Sequence, residues 1–276
     1  MTTVKKTESA PRGAEFLTQA ELDAHPQFAS TLASGLAVLG CFGSGALTLG
    51  NKDIAERLGL SKPTVSRLMF TLMGLGYLRR DRQTGKYSLG ASVLSLGYPL
   101  LSQLTIRRIA APEMLELARH ARGPVSVGTR DRFQVVYVET VQALETNATL
   151  PDIGSTRPFL QTAIGRALLS AIDPTERSLI LERLKATDPE GWSRFSDGMQ
   201  QAQEQIAERD FCVVTGDWRP NLSAVAVPMR APFNGMPLAF NLTVPSYSTD
   251  QNQLEKSLGP RLVSLVRSIE YKLGLL

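Results

Sequence analysis

Apolar residues recur every three to four positions through the first hundred residues, then every second position over several short runs in the second half. The run FASTLASGLAVLGCF, Phe28 to Phe42, puts Leu32, Leu36 and Leu39 on one face. It predicts a helix that closes a three-helix core with the two that follow. Gly43-Ser44-Gly45 ends it, and Ala46 to Leu49 is a short extended piece suited to pairing beside a later hairpin. In NKDIAERLGLSKPTVSRLMFTLMGLGYL, Asn51 to Leu78, the residues Ile54, Ala55 and Leu58 keep helical spacing. Gly59 breaks that helix, Ser61 is a good N-cap, and Pro63 suits a first turn. A second helix then carries Val65, Leu68, Met69, Leu72 and Leu75 on one face.

Two short β runs follow, Gly76 to Arg80 and Lys86 to Leu89, around the turn Asp81-Arg82-Gln83-Thr84-Gly85. Ser92 to Ile109 is again apolar-periodic and reads as a linker helix, kinked or split at Pro99; Pro112 opens a helix from Glu113 to Ala121. Strands are expected over 125–129 and 133–140, joined at Arg130-Asp131-Arg132, and over 146–150. Thr162 to Ala171 is helical, and Asp173-Pro-Thr-Glu176 starts a helix to Leu184. Residues 191–198 read as irregular and Met199 to Arg209 as a polar helix. Strands at 211–214, 222–229 and 237–244 follow, the last two joined by an Asn234-Gly235 turn. Thr249-Asp250 caps a final helix to Leu273. The expected architecture is α+β: a helix-turn-helix with a hairpin, a linker helix, and a domain with a mostly antiparallel sheet. Its parts are a polar tail over 1–25 with a short helix opening at Thr18, a first domain over 26–91, a linker over 92–110 and a second domain over 111–276.

Charge sharpens that division. The net charge is +4 over 276 residues. Residues 26–100 hold eight Lys/Arg against three Asp/Glu, residues 1–25 hold three against four, and residues 101–276 balance at 19 each. The excess sits on the helix-turn-helix, as expected of a nucleic-acid module joined to a neutral one. A basic hairpin after such a helix pair is the wing of a winged helix-turn-helix, whose second helix enters the major groove of duplex DNA. Lys62, Thr64, Ser66 and Arg67 are the candidates for bases or phosphates, and Arg79, Arg80, Arg82 and Lys86 for phosphates under the wing. The bland alternative is a solvated helical hairpin.

No apolar run is long enough to span a membrane, and the N-terminus lacks a secretory signal. Cys41 and Cys212 fall in different domains, which fits a reducing cytoplasm. His25, His120 and the two cysteines show no metal-ligand spacing, no phosphate-cradling loop is present, and no cofactor is expected. No nucleophile–base pair is legible; Cys212 reads as a buried small hydrophobe.

The chain resembles the IclR family of bacterial transcriptional regulators. The telling stretches are LASGLAVLGCF at 32–42, IAERLGLSKPTVSRLMFTLMGLGYLRRD at 54–81, KYSLGASVLSLG at 86–97, GSTRPFLQTAIGRALLS at 154–170 and AVAVPM at 224–229. The resemblance implies a winged helix-turn-helix and an effector domain on a sheet of six or so strands. It implies a homodimer, often paired into a tetramer, and a small organic acid that alters binding to an operator, in some members for aromatic-acid catabolism. By alignment the effector contacts fall on Ala163, Ile164, Val214, Ala224, Asn241 and Thr243. Three positions depart from the pattern: Ser34 replaces a basic residue, Arg166 replaces a lysine, and Asn221 replaces a glycine in a turn that a positive φ would preserve.

Strand alternation over 238–244 separates Leu238, Phe240, Leu242 and Val244 from Ala239, Asn241 and Thr243. The second face offers an amide and a hydroxyl to a ligand's polar end, or is a half-exposed polar face. Asp217-Trp218-Arg219 is either a pocket mouth or a surface turn. The leading expectation is a ligand-responsive DNA-binding regulator and not an enzyme. The alternatives are an enzyme tethered to DNA by its winged domain and an architectural DNA protein.

Overall fold

A computed structural model describes residues 17, 19–43, 47–143 and 153–275. It divides into two compact units, Gln19–Leu104 and Thr105–Leu276.

The first unit runs α1 (Gln19–Asp23), α2 (Ser30–Gly40), α3 (Asn51–Leu58), α4 (Lys62–Gly74), β1 (Leu78–Arg80), β2 (Tyr87–Leu89) and α5 (Ala91–Gln103). Gly59 caps α3 at φ 65, a left-handed conformation that only glycine takes cheaply. Ser61 caps α4 by accepting from Thr64 N, and Pro63 sits in its first turn. Val38, Phe42, Ile54, Ala55, Val65, Met69 and Leu72 make the core, with Leu49 and Leu78 from the extended segments. Leu49 bridges Tyr87, adding a third short segment to the β1–β2 hairpin.

Two expected faces differ. In α2, Leu32 and Leu36 are 65% and 56% exposed, while Val38 and Phe42 point inward. Positions 36 and 38 lie about 200° apart around a helix, so only one of the two apolar stripes can meet the core. Leu75 is also exposed, because it follows the last residue of α4 as the C-cap. The single linker helix expected over 92–110 is two helices. α5 ends at Gln103, and α6 (Ile106–Ala121) begins after Leu104 and Thr105. Neither Pro99 nor Pro112 makes the break; both lie inside helices. In α6 the buried row Ile106, Ala110, Met114, Leu117 and Ala118 outweighs the hydrogen bond lost at Pro112.

The second unit is built on β3 (Val125–Asp131), β4 (Gln134–Val141), β5 (Thr156–Pro158), β6 (Cys212–Thr215), β7 (Leu222–Pro228) and β8 (Leu238–Pro245). They form one antiparallel sheet in the order β5-β4-β3-β8-β7-β6. The helices α7 (Ala163–Ser170), α8 (Pro174–Thr187) and α9 (Pro189–Arg209) form one core with Val135, Tyr137, Cys212, Val214, Ala226 and Ala239. Strand alternation turns Leu238, Phe240, Leu242 and Val244, all buried, to the opposite layer. There α6 packs against α11 (Gly259–Lys272), and both meet the sheet. The expected 238–244 alternation therefore stands. Asn234 (φ 50) and Gly235 (φ 78) make the β7–β8 turn.

Further differences are informative. Residues 191–198, expected to be irregular, are the first half of α9. Asp188 caps that helix by accepting from Gly191 N, and Phe195, Met199 and Ala202 give it a buried stripe. β5 is a strand of three residues with no pattern of its own, held by pairing with β4. The positive φ in the β6–β7 connection belongs to Gly216, and Asn221 does not take one. The final helix is α10 (Gln251–Gln253), a π turn over Leu254–Leu258, then α11. The strand expected over 146–150 lies outside the described residues.

Candidate DNA interface and ligand cleft

The exposed face of α4 carries Lys62, Thr64, Ser66 and Arg67. Asn51 at the start of α3 donates to Ser66 Oγ at 2.6 Å, and Thr64 Oγ1 pairs with Ser61 Oγ at 2.8 Å. The two hydroxyls are thus held in place rather than swinging free. On the hairpin, Arg79 Nε donates to Ser88 Oγ at 2.8 Å. The Arg80 guanidinium lies over the Tyr87 ring and donates to the Gly85 carbonyl. Asp81 accepts from the backbone of Gln83 and Thr84 and from the Thr84 hydroxyl. Those bonds, led by that from the Thr84 backbone, hold its carboxyl below the usual carboxylate range. The hairpin's one acid thus shapes the turn and forms no ion pair, with Arg79 acting on it only at longer range. Among the described residues, Lys62, Arg67, Arg79, Arg80, Arg82 and Lys86 have no carboxylate partner.

In the second unit, Ala163, Ile164, Val214, Asp217, Ala224, Asn241 and Thr243 surround one small cleft, partly open to solvent. The N-terminus of α7 forms its floor. There Thr162 accepts from Gly165 N and donates to the Pro158 carbonyl. Asn241 Nδ2 donates to Thr243 Oγ1 at 3.0 Å, and the buried Asn241 Oδ1 has no partner. Of the cluster at 217–219, Asp217 and Trp218 line the cleft and Arg219 is exposed.

Sequence reasoning missed Tyr137, Arg157 and Gln161, which also line it. Arg157 projects from β5, and its guanidinium lies 5.7 Å from the rings of both Tyr137 and Trp218. It donates to the neighbouring Thr156 carbonyl and pairs with no carboxylate among the described residues. Burial pushes the Tyr137 hydroxyl up to about 12, so it stays neutral at ordinary pH. Arg166, 3% exposed, donates to the Leu160 carbonyl and pairs with Asp217 Oδ2 at 2.5 Å. Cys212 lies under the floor with its Sγ 3.6 Å from the Ala163 carbonyl, and burial pushes its thiol up to about 12. No helix among the described residues is long and apolar enough to cross a membrane.

Known proteins combine the same two units. Residues 31–82 match the IclR helix-turn-helix domain, and residues 99–271 match the bacterial transcriptional regulator IclR C-terminal domain. The HTH-type transcriptional regulator TsaQ1/TsaQ2 of Comamonas testosteroni is 34% identical over 242 residues, 87% of each chain. The crystal structure of an IclR family transcriptional regulator from Brucella abortus shares 38% identity and a TM-score of 0.81, covering 96% of this chain and 99% of that one. The fold is also that of an IclR homologue from Microbacterium hydrocarbonoxydans complexed with 4-hydroxybenzoate, with 20% identity, a TM-score of 0.70, and coverage of 89% and 100%. With both domain models matched across most of its length, the chain belongs to the IclR family and is a DNA-binding transcriptional regulator.

Proposed function

We propose that this regulator acts in the cytoplasm, controls a catabolic operon and answers to a small organic acid held in the cleft. The carrying observation is Arg157, a guanidinium lining the cleft beside two aromatic rings and paired with no carboxylate among the described residues. An anionic group fits that position. Ile164, Val214 and Ala224 supply an apolar wall for the rest of the molecule, which suits a ring. Two copies set their α4 helices in successive major-groove turns of a pseudo-palindrome, with half-sites about 10 bp or a multiple apart. The exposed leucines of α2 and α5 are the surfaces that a second copy covers. Ligand binding regulates by favouring one state of the DNA-binding dimer.

Thermal shift and calorimetry against benzoate, 4-hydroxybenzoate and short aliphatic acids test the effector. At least one acid should stabilise the protein, be recovered unchanged, and alter its DNA affinity. Arg157→Gln should weaken that binding about tenfold or more, the loss of a charge-assisted contact. If Arg157→Gln binds every acid as well as the parent does, the acid-binding reading fails. On DNA, Arg67→Ala should cost about 1–3 kcal/mol and relax one base position, while Lys86→Ala should weaken all sequences alike and flatten the salt dependence.

A further inference from the structure

The face of α4 that carries the basic and hydroxyl groups also carries Phe70, whose ring is 75% exposed. Pro63, Ser66, Arg67 and Phe70 fall at the 1-4-5-8 spacing that places side chains on one face, and all four are exposed. The buried face, Val65, Met69 and Leu72, is on the other side. Phe70 therefore sits within the row of polar side chains expected to meet DNA, one turn beyond Ser66 and Arg67. Neither the core of this unit nor the hydrophobics packed against it include the ring. From Lys62 to Phe70 the helix rises about 12 Å, a little over two turns.

We propose that Phe70 is a base-reading residue, packing its ring against the C5-methyl group of a thymine in each half-site. The thymine methyl is the one apolar group a base pair presents in the major groove, so an aromatic ring there distinguishes thymine from cytosine without a hydrogen bond. Arg67 in this row and Lys62, one turn before Ser66, hold the helix against phosphates or guanine edges, which fixes where the ring can reach. This inference rests on the proposed placement of α4 in the groove.

The test uses the full-length protein and duplexes that it selects from a pool with a randomised centre. Each thymine of the selected duplex is replaced in turn by deoxyuridine, which removes only the methyl group. For the parent protein, one thymine per half-site should lose affinity roughly three- to fivefold on replacement, the yield of burying one methyl-sized group. Phe70→Ala should abolish the response at that position alone, and Phe70→Leu should retain part of it. Salt dependence should be the same for all three proteins, since no charge changes. A uracil profile unchanged in Phe70→Ala overturns the assignment. So does a Phe70→Ala protein that loses its oligomeric state while keeping the profile, which would place the ring in a subunit contact. If the parent enriches no sequence at all, the placement of α4 falls first and this assignment falls with it.

Discussion

At the scale of single residues, burial decides which groups can change charge. Cys212 ionises near 9.0 in an unfolded chain and near 12 in the fold, and Tyr137 near 10.0 and near 12. Both folded values are raised, so both groups stabilise the fold below their unfolded values and lose that contribution as pH rises through the folded ones. Melting temperature should therefore fall between about pH 9 and pH 12, and Cys212→Ala should flatten the lower part of that fall. A melting temperature independent of pH across that window would contradict the burial of both groups. Cys212 was legible as a buried small hydrophobe because Phe211 and Val213 flank it. Arg157 was not, because β5 is too short to show alternation and is placed only by its register with Gln134 to Val136. The Arg166–Asp217 pair was equally hidden, since its members stand 51 positions apart and only the folded sheet brings them together.

At the scale of elements, local signals carried the first unit. Gly59, Ser61 and Pro63 mark the helix-turn-helix through conformations that depend on immediate neighbours, so its boundaries were legible. The orientation of α2 was not, because the chain offers two apolar stripes and only tertiary packing chooses between them. The first half of α9 was read as irregular because Gly191 and Gly198 argue against a helix when read alone. Gly198 in α9 and Gly165 in α7 are each required by close packing. A methyl group at Gly198 would meet the Arg166 guanidinium at 2.9 Å, and one at Gly165 would run into the Phe159 carbonyl. Gly198→Ala should destabilise by about 1–3 kcal/mol, since the flexible end of Arg166 can shift. Gly165→Ala, which meets rigid backbone, should cost more and lower affinity for any cleft ligand. Chemical denaturation and ligand titration of the two variants check that order, and equal losses would contradict it.

At the scale of the whole molecule, exposed apolar residues mark the face for the proposed second copy. On α5, Leu94, Leu96, Tyr98 and Leu100 are all more than half exposed, and Leu32 and Leu36 of α2 join them. A second copy is the proposed cover. Leu36→Glu and Leu94→Glu should each shift sedimentation toward the monomer while leaving helix content unchanged, and should lower operator affinity by losing the paired half-site. A variant that remains dimeric would direct attention to the second unit instead.

Arg166 touches three things at once: the Leu160 carbonyl beside the cleft floor, the Asp217 carboxylate in its wall, and the narrow space left open by Gly198 in α9. Removing the Asp217 carboxylate leaves the buried Arg166 guanidinium without its counter-charge. Uncharged lining positions such as Ile164, Val214, Leu222 and Ala224 are under no such obligation. Ligand preference can thus be retuned by resizing those apolar walls one step at a time, whereas a change at Asp217 must be met by a change at the cation it neutralises.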